Sequence, residues 1–152
     1  MIDEFTRECL AIDVAGPIRS DRVIEVLTRL ISKHGAPRFL RSNNCSESVS
    51  HAILDWLAAS GIETALINPG KPWQNADNES FNGKFRDECL SLEWFRSRAE
   101  AGVVIETWRR PYNQDRPKKD LGGVPPAVYA ARLNSLANSG AKESSTVCRD
   151  GL

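Results

Sequence analysis

Apolar residues recur along the chain at two alternating spacings, one typical of strands and one typical of helices. Residues 1–14 predict two short strands around a polar turn at residues 6–8, because CLAIDV alternates apolar and polar positions. Within this hairpin, Asp3 is expected to help set the turn. Residues 20–33 predict a helix with an apolar stripe through Val23, Leu27 and Leu30, and Gly35 ends it.

The same spacings predict further elements along the rest of the chain. They are a strand at 38–42, a helix at 48–59, a strand at 63–67, a helix ending near 89, a helix at about 97–112 and a short helix at 125–133. Strands that alternate with helices indicate the α/β class. From residue 134 the composition turns small and polar, so we expect a core over residues 1–133 and a disordered tail over 134–152.

Composition narrows the class of protein without giving its function. The chain has 152 residues, 41% of them hydrophobic and 26% charged, which suits one soluble domain. It has no apolar run of about 18 residues and no secretory pattern at its N-terminus, so we expect no membrane span and a cytoplasmic location. The formal net charge is +0, which argues mildly against a dedicated DNA-binding domain. The four cysteines lack zinc-site spacing and are expected to be free thiols.

The segment that carries the most chemical information is residues 68–90, NPGKPWQNADNESFNGKFRDECL. Glu79 falls near the start of the predicted helix, on the side away from Phe81 and Phe85. A carboxylate at a loop–helix junction suits a site in which the acid holds a hard cation and nearby cations hold a phosphate backbone. An acid near a helix N-terminus also simply complements the helix dipole, so the residues alone leave both interpretations open.

This segment resembles the block around the third acid of the DDE transposase and retroviral integrase superfamily. It is most similar to the catalytic cores of bacterial insertion-sequence transposases made from two overlapping reading frames. The stretches DEFTRECLAI, GAPRFLRSNN, GIETALINPGKPWQN and WRRPYNQDRP match as well, and the resemblance covers about residues 1–130. It implies an RNase H-like integrase core, with a mixed sheet flanked by helices, and Mg²⁺-dependent cleavage and joining of DNA strands.

The sequence departs from the family pattern at two of the three acids. The second acid belongs to a motif usually written SDNGPEF, which reads SNNCSES here, so Asn43 stands at the position of the aspartate. The first acid lies on a strand upstream of the stretch that matches residues 1–12. We therefore expect an N-terminally truncated, degenerate core that lacks the first, central strand and is catalytically inactive.

The resemblance also implies roles for individual residues. Glu79 and the degenerate position Asn43 mark the catalytic site, and Glu79 is the remaining ligand for Mg²⁺, which we expect not to bind productively. Contacts to transposon-end DNA are implied for six flanking residues, for which a solvated helix face is the alternative: Lys71, Gln74, Asn75, Asn82, Lys84 and Arg86. The YN…RP segment, residues 112–117, either touches DNA or packs the C-terminal helix on the core.

Three functions remain open on the sequence. The chain is an inactive transposase core, a module that binds DNA or an intact transposase and inhibits it, or a remnant without a function. Self-association through exposed sheet edges is expected if the central strand is missing.

Overall fold

The computed structural model describes residues 1–42, 51–66 and 76–143, apart from the side chains of residues 66 and 137–143. The elements within these ranges, in chain order, are α1 (Ser20–His34), β1 (Phe39–Ser42), α2 (His51–Ala59), β2 (Glu63–Leu66), α3 (Ala76–Phe85), a π-helix (Arg86–Leu90), α4 (Arg98–Gln114), a 3-10 turn (Lys119–Leu121) and α5 (Pro126–Glu143). The chain divides into two compact units. The larger unit is residues 10–105, and the smaller unit is residues 1–9 together with the chain from residue 106 onward.

The larger unit is organised around two parallel strands joined by a helix. β1 pairs with β2 in parallel, with Phe39 opposite Glu63 and Ser42 opposite Leu66. Parallel neighbours need a crossover connection, and α2 lies within that connection. Because both strands run in the same direction, their last residues, Ser42 and Leu66, lie at the same end of the sheet.

The hydrophobic core of the larger unit lies between these strands and the first two helices. Ile53, Leu57 and Ile62 are buried together, and side chains of α1 and β1 pack against them, among them Ile24 and Leu40. The apolar stripe predicted for the first helix is therefore the packed face of α1. Gly35 ends this helix with a φ of 86°, and its N–H donates to the Ile31 carbonyl at 2.8 Å, as the sequence predicted for a helix stop.

An ion pair ties the segment before α1 to that helix. Arg22 donates from Nε and Nη2 to the two Asp13 oxygens at 2.9 and 2.8 Å. This bidentate hydrogen bonding lowers the pKa of Asp13, against the opposing effect of burial. The pair fixes the end of the N-terminal extended segment against the first turn of α1.

The N-terminal hairpin is shorter than predicted. Ile2 and Cys9 form a single antiparallel bridge in place of two paired strands. Asp3 sets the turn as expected, because its Oδ1 accepts the N–H groups of Phe5 and Thr6 at 2.8 Å each. Arg7 adopts a φ of 61°, which turns the chain and prevents a longer ladder.

The backbone of Cys9 is held by a helix side chain. The Asn113 amide accepts the Cys9 N–H at 2.8 Å and donates to the Cys9 carbonyl at 3.0 Å. Both residues are buried, with Asn113 only 5% exposed. One amide side chain thus satisfies both backbone groups of a buried residue 104 positions away in sequence, much as a neighbouring strand would.

An acid–base cluster on α4 reinforces this contact. Arg109 donates from Nη1 to the Cys9 carbonyl at 2.8 Å. It also donates from Nε and Nη2 to the two carboxylate oxygens of Glu106 at 2.7 and 2.9 Å. Arg110 adds a bond to Glu106 at 3.2 Å. The hydrogen bond from Arg109 is the main cause that lowers the pKa of Glu106 to about 2, with Arg110 adding to it against the effect of burial.

Two helix boundaries differ from the prediction. The helix that follows the proline- and glycine-rich loop ends as an α-helix at Phe85 and continues as a π-helix, in which Ser91 donates to the Arg86 carbonyl at 2.8 Å. The last helix ends at Glu143 rather than near residue 133. The division into a core and a tail stays a prediction, and residues 144–152 lie outside the described residues. Within the described ranges, no helix is long and apolar enough to cross a membrane.

Replacing Asn113 with alanine is expected to destabilise the protein. The change leaves the buried Cys9 N–H without its acceptor, which costs about 1–3 kcal/mol. For a chain of this size that lowers the melting temperature by roughly 2–12 °C. Differential scanning calorimetry measures the shift. Gln114→Ala, at the exposed neighbouring position, is the matched control, and equal melting temperatures for the two variants would contradict the role of Asn113.

Glu106 is expected to make stability fall in acid. Its pKa in the folded chain, about 2, lies below its ordinary value of 4.5, so its contribution to stability is present above pH 4.5 and is lost as the pH falls toward 2. Its side chain is 41% exposed, so solvent screening keeps the effect at pH 7 below about 1 kcal/mol. Urea unfolding of Glu106→Gln should show a flatter pH dependence between pH 5 and 2 than the unmodified chain. Glu93→Gln, at an exposed acid in the larger unit, should keep the original slope.

Candidate functional site

The candidate site consists of two segments that follow the paired strands in sequence. Ser42 lies opposite Leu66 in the register, and Asn43 is the residue that follows Ser42. The chain after Leu66 leads through the proline- and glycine-rich segment into α3, which carries Glu79. Asn43, Lys71, Gln74 and Asn75 themselves lie outside the described residues.

Glu79 lies in the first turn of α3 and is exposed. The opposite side of this helix packs inward. Phe81 is 5% exposed, and its ring stacks against that of Phe85 with centroids 6.2 Å apart. The carboxylate therefore faces away from the packed side, as the apolar pattern predicted.

Helical spacing places three of the predicted site residues on one face. Glu79, Asn82 and Arg86 are three and four positions apart, so they lie one above another on the outer side of the helix. All three are exposed. We call this row, with Gly83 beside it, the open face of α3. Lys84 is also exposed but falls on a different side of the helix.

Gly83 is a residue of this face that the sequence reasoning did not single out. A methyl group built at Gly83 meets no atom within 4 Å, so nothing in the described chain packs there. A glycine in a helix interior weakens the helix by about 0.5–1 kcal/mol relative to alanine. The available signal was an isolated glycine inside a helical pattern, which is tolerated there at a cost in helix stability.

The helix becomes a π-helix at Arg86, the last residue of the open face. Single π-turns within helices are rare and occur often at functional sites. Cys89 anchors this turn with 2% exposure, and burial raises the pKa of its thiol, so the thiol stays protonated and acts in packing. Cys9 and Cys89 are both free thiols, as predicted.

The acids of the described chain do not by themselves form a metal site. Among the described residues, no group of three or more histidine, cysteine, aspartate or glutamate side chains is arranged to hold a metal ion. Asp77 and Glu79 in the first turn of α3 also complement the helix dipole, which is a stabilising role that needs no ligand. Glu79 is the one acid of the open face.

The YN…RP segment packs in the smaller unit. Tyr112 is 5% exposed and stacks on Trp108 with ring centroids 5.0 Å apart. Lys118, where the family pattern has histidine, lies with Nζ 4.1 Å from the Tyr112 ring and donates to its hydroxyl at 2.9 Å. Together with the Asn113 contact, these distances give the segment a structural role.

Two family models for the integrase core domain match consecutive and overlapping parts of the chain, one over residues 1–72 and the other over residues 60–126. The chain therefore belongs to the DDE transposase and retroviral integrase superfamily. The resemblance carried by the residue 68–90 segment is confirmed.

Proteins of bacterial insertion elements are similar over most of the chain. A 39.2 kDa protein of insertion element IS476 from Xanthomonas euvesicatoria is 48% identical over 89% of the chain, and a 31.7 kDa protein of IS407 from Burkholderia multivorans is 40% identical over 91%. The transposase of IS629 from Shigella sonnei is 26% identical over 84%. The chain spans 39% of the IS476 protein, 50% of the IS407 protein and 43% of the IS629 transposase.

Solved structures of retroviral integrase cores share the fold. The HTLV-2 integrase catalytic core domain, solved with magnesium, superposes with a TM-score of 0.60 at 16% identity, covering 84% of this chain and 80% of that one. The core of BIV integrase gives a TM-score of 0.60 at 17% identity, with 82% and 80% covered. The expected RNase H-like fold is confirmed, although the sheet among the described residues is reduced to two strands.

Gly83→Ala is expected to stabilise the isolated chain. The site has room for the methyl group, and alanine favours the helix by about 0.5–1 kcal/mol. Thermal unfolding followed by circular dichroism should show a melting temperature raised by a few degrees. Gly102→Ala in α4 is the matched control, because it also has no atom within 4 Å of the added methyl and should stabilise to a similar extent. A lower melting temperature for Gly83→Ala alone would mean that the open face of α3 is packed.

Proposed function

We propose that this chain provides the integrase core of an insertion-element transposase and that its partner is DNA. The observation that carries the proposal is the match of the two integrase core models over residues 1–126. The exposed Glu79 on the open face of α3 is consistent with it. The similarity to insertion-element proteins points to transposon DNA as the substrate of the whole protein.

The open face of α3 suits a phosphate backbone. Asn82 donates through its amide and Arg86 through its guanidinium, and both groups bind phosphate oxygens without reading the base sequence. Gly83 between them lets a backbone approach the helix closely, because no side chain stands in the way. Lys71, Gln74 and Asn75 extend the same proposed contact upstream of the helix.

The acids present do not fit the family's magnesium site. Two-metal phosphoryl transfer needs carboxylates that bridge and neutralise the ions. Asn43 contributes an amide oxygen, which can touch Mg²⁺ but brings no negative charge. The charge missing at position 43 is missing whatever segment precedes Met1. We therefore propose that the chain binds DNA without cleaving it.

Inhibition of an intact transposase is not favoured by any contact of the described chain. Pairing with another transposase copy is a second possible interaction, because the HTLV-2 integrase core, which has a similar fold, occurs in dimeric and trimeric forms. DNA binding is accordingly the property to test first.

Fluorescence anisotropy with a labelled 30-base-pair duplex should show saturable binding that weakens as KCl rises. Arg86→Gln is expected to lower the affinity severalfold. It should also reduce the magnitude of the slope of log affinity against log salt by about 1, the value for the loss of one phosphate contact. Arg132→Gln, which removes an exposed charge from α5, should leave the slope unchanged. A duplex affinity that is absent, or independent of salt, would exclude the proposed function.

A nicking assay with Mg²⁺ or Mn²⁺ on supercoiled DNA tests the proposed lack of cleavage. No metal-dependent nicking is expected above that of Glu79→Ala, the control for contaminating nuclease. Nicking by the unmodified chain that disappears in Glu79→Ala would show that the Asn43 site is active.

A further inference from the structure

The loop between the π-helix and α4 presents two strongly exposed apolar side chains. Leu92 is 73% exposed and Trp94 is 85% exposed, and Leu90 just before them is 39% exposed. A tryptophan is a large apolar surface with a stacking face, and it is one of the residues that most often dominate binding energy. Trp94 does not belong to the open face of α3.

The backbone of this loop is held at both of its ends. On one side, Ser91 donates to the Arg86 carbonyl at 2.8 Å and Cys89 is buried. On the other, Glu100 accepts the Arg96 N–H at 2.7 Å and donates its own N–H to Ser97 at 3.1 Å. A side chain presented by an ordered loop loses less freedom on binding than one on a mobile loop.

The charges around the loop are mixed, with cations on both flanks. Residues 84–98 contain four basic residues (Lys84, Arg86, Arg96 and Arg98) and three acidic ones (Asp87, Glu88 and Glu93). Arg86 before the loop and Arg96 after it are both exposed. An exposed indole with an exposed arginine before it and another after it in sequence suits single-stranded nucleic acid, in which the aromatic ring stacks on a base and the cations meet phosphates.

The size of the apolar surface favours a base over a protein. A stable protein interface buries about 800 Å² on each partner. An aromatic side chain buries only about 150–250 Å², so Trp94 and Leu92 together fall well short of that area. One face of an indole is enough for one base.

We propose that Trp94 stacks on an unpaired base of the DNA held by the open face of α3, with Leu92 packing beside that base. This inference rests on the proposed function.

The test compares a blunt 30-base-pair duplex with the same duplex carrying a five-nucleotide single-stranded extension. Anisotropy measures affinity, and 2-aminopurine in the extension reports stacking. Trp94→Ala should weaken binding to the extended DNA about 5- to 100-fold and abolish the 2-aminopurine change, because one stacked base supplies that range of affinity. Binding to the blunt duplex and the salt slope should not change, since the indole carries no charge. Trp94→Phe should restore most of the loss.

Leu136→Ala, which truncates a side chain 68% exposed on α5, is the matched control and should bind both DNAs as the unmodified chain does. If Trp94→Ala binds the extended DNA and the blunt duplex as tightly as the unmodified chain does, the stacking role is overturned. Salt-dependent binding to the blunt duplex would in that case still support the proposed function. A change in sedimentation without a change in DNA affinity would identify Trp94 as a protein contact and overturn it too. Failure of the unmodified chain to bind either DNA would overturn both proposals.

Discussion

The parallel pairing of β1 with β2 is the constraint on which the candidate site depends. Two parallel strands need a crossover, and α2 supplies both that connection and the buried Ile53 and Leu57. The register then places Ser42 opposite Leu66. Ser42 and Leu66 therefore lie at the same end of the sheet, the end at which ligands of α/β sheets usually bind. Asn43 and the segment that leads to Glu79 follow these two residues in sequence.

A two-stranded parallel sheet is small, and parallel sheets are normally covered on both faces. Phe39 on β1 is 48% exposed, so one face of this sheet is only partly covered in the described chain. The α1–α2 core supports the other face. The local stability of the site end therefore rests on a few buried aliphatic side chains, and large-to-small changes at Ile53 or Leu57 would affect the site through the sheet.

In the smaller unit, polar side chains hydrogen-bond the backbone of a buried residue, Cys9. Cys9 stands opposite Ile2 in a pair whose ladder hydrogen bond runs from the Asp3 N–H to the Glu8 carbonyl. The peptide groups of Cys9 therefore face away from Ile2, and Asn113 and Arg109 satisfy them from α4. Burial meanwhile raises the pKa of the Cys9 thiol to about 11, so this residue takes part through its peptide groups. The YN…RP segment, for which the sequence left DNA contact open, thus has a packing role through Tyr112 and Asn113.

The sequence by itself determined the class of fold, the order of the elements and the outward direction of Glu79, because these follow from the periodicity of apolar side chains and from glycine and proline positions. It also identified the family and the amide at position 43. Tertiary structure alone decided that Asn113 holds Cys9, since that contact joins residues 104 positions apart and no local pattern encodes it. It likewise decided that the helix after Phe85 widens into a π-turn and that Trp94 points into solvent rather than into a core. An apolar residue in a loop carries the same sequence signal whether it packs or is exposed, and only the arrangement of its neighbours distinguishes the two.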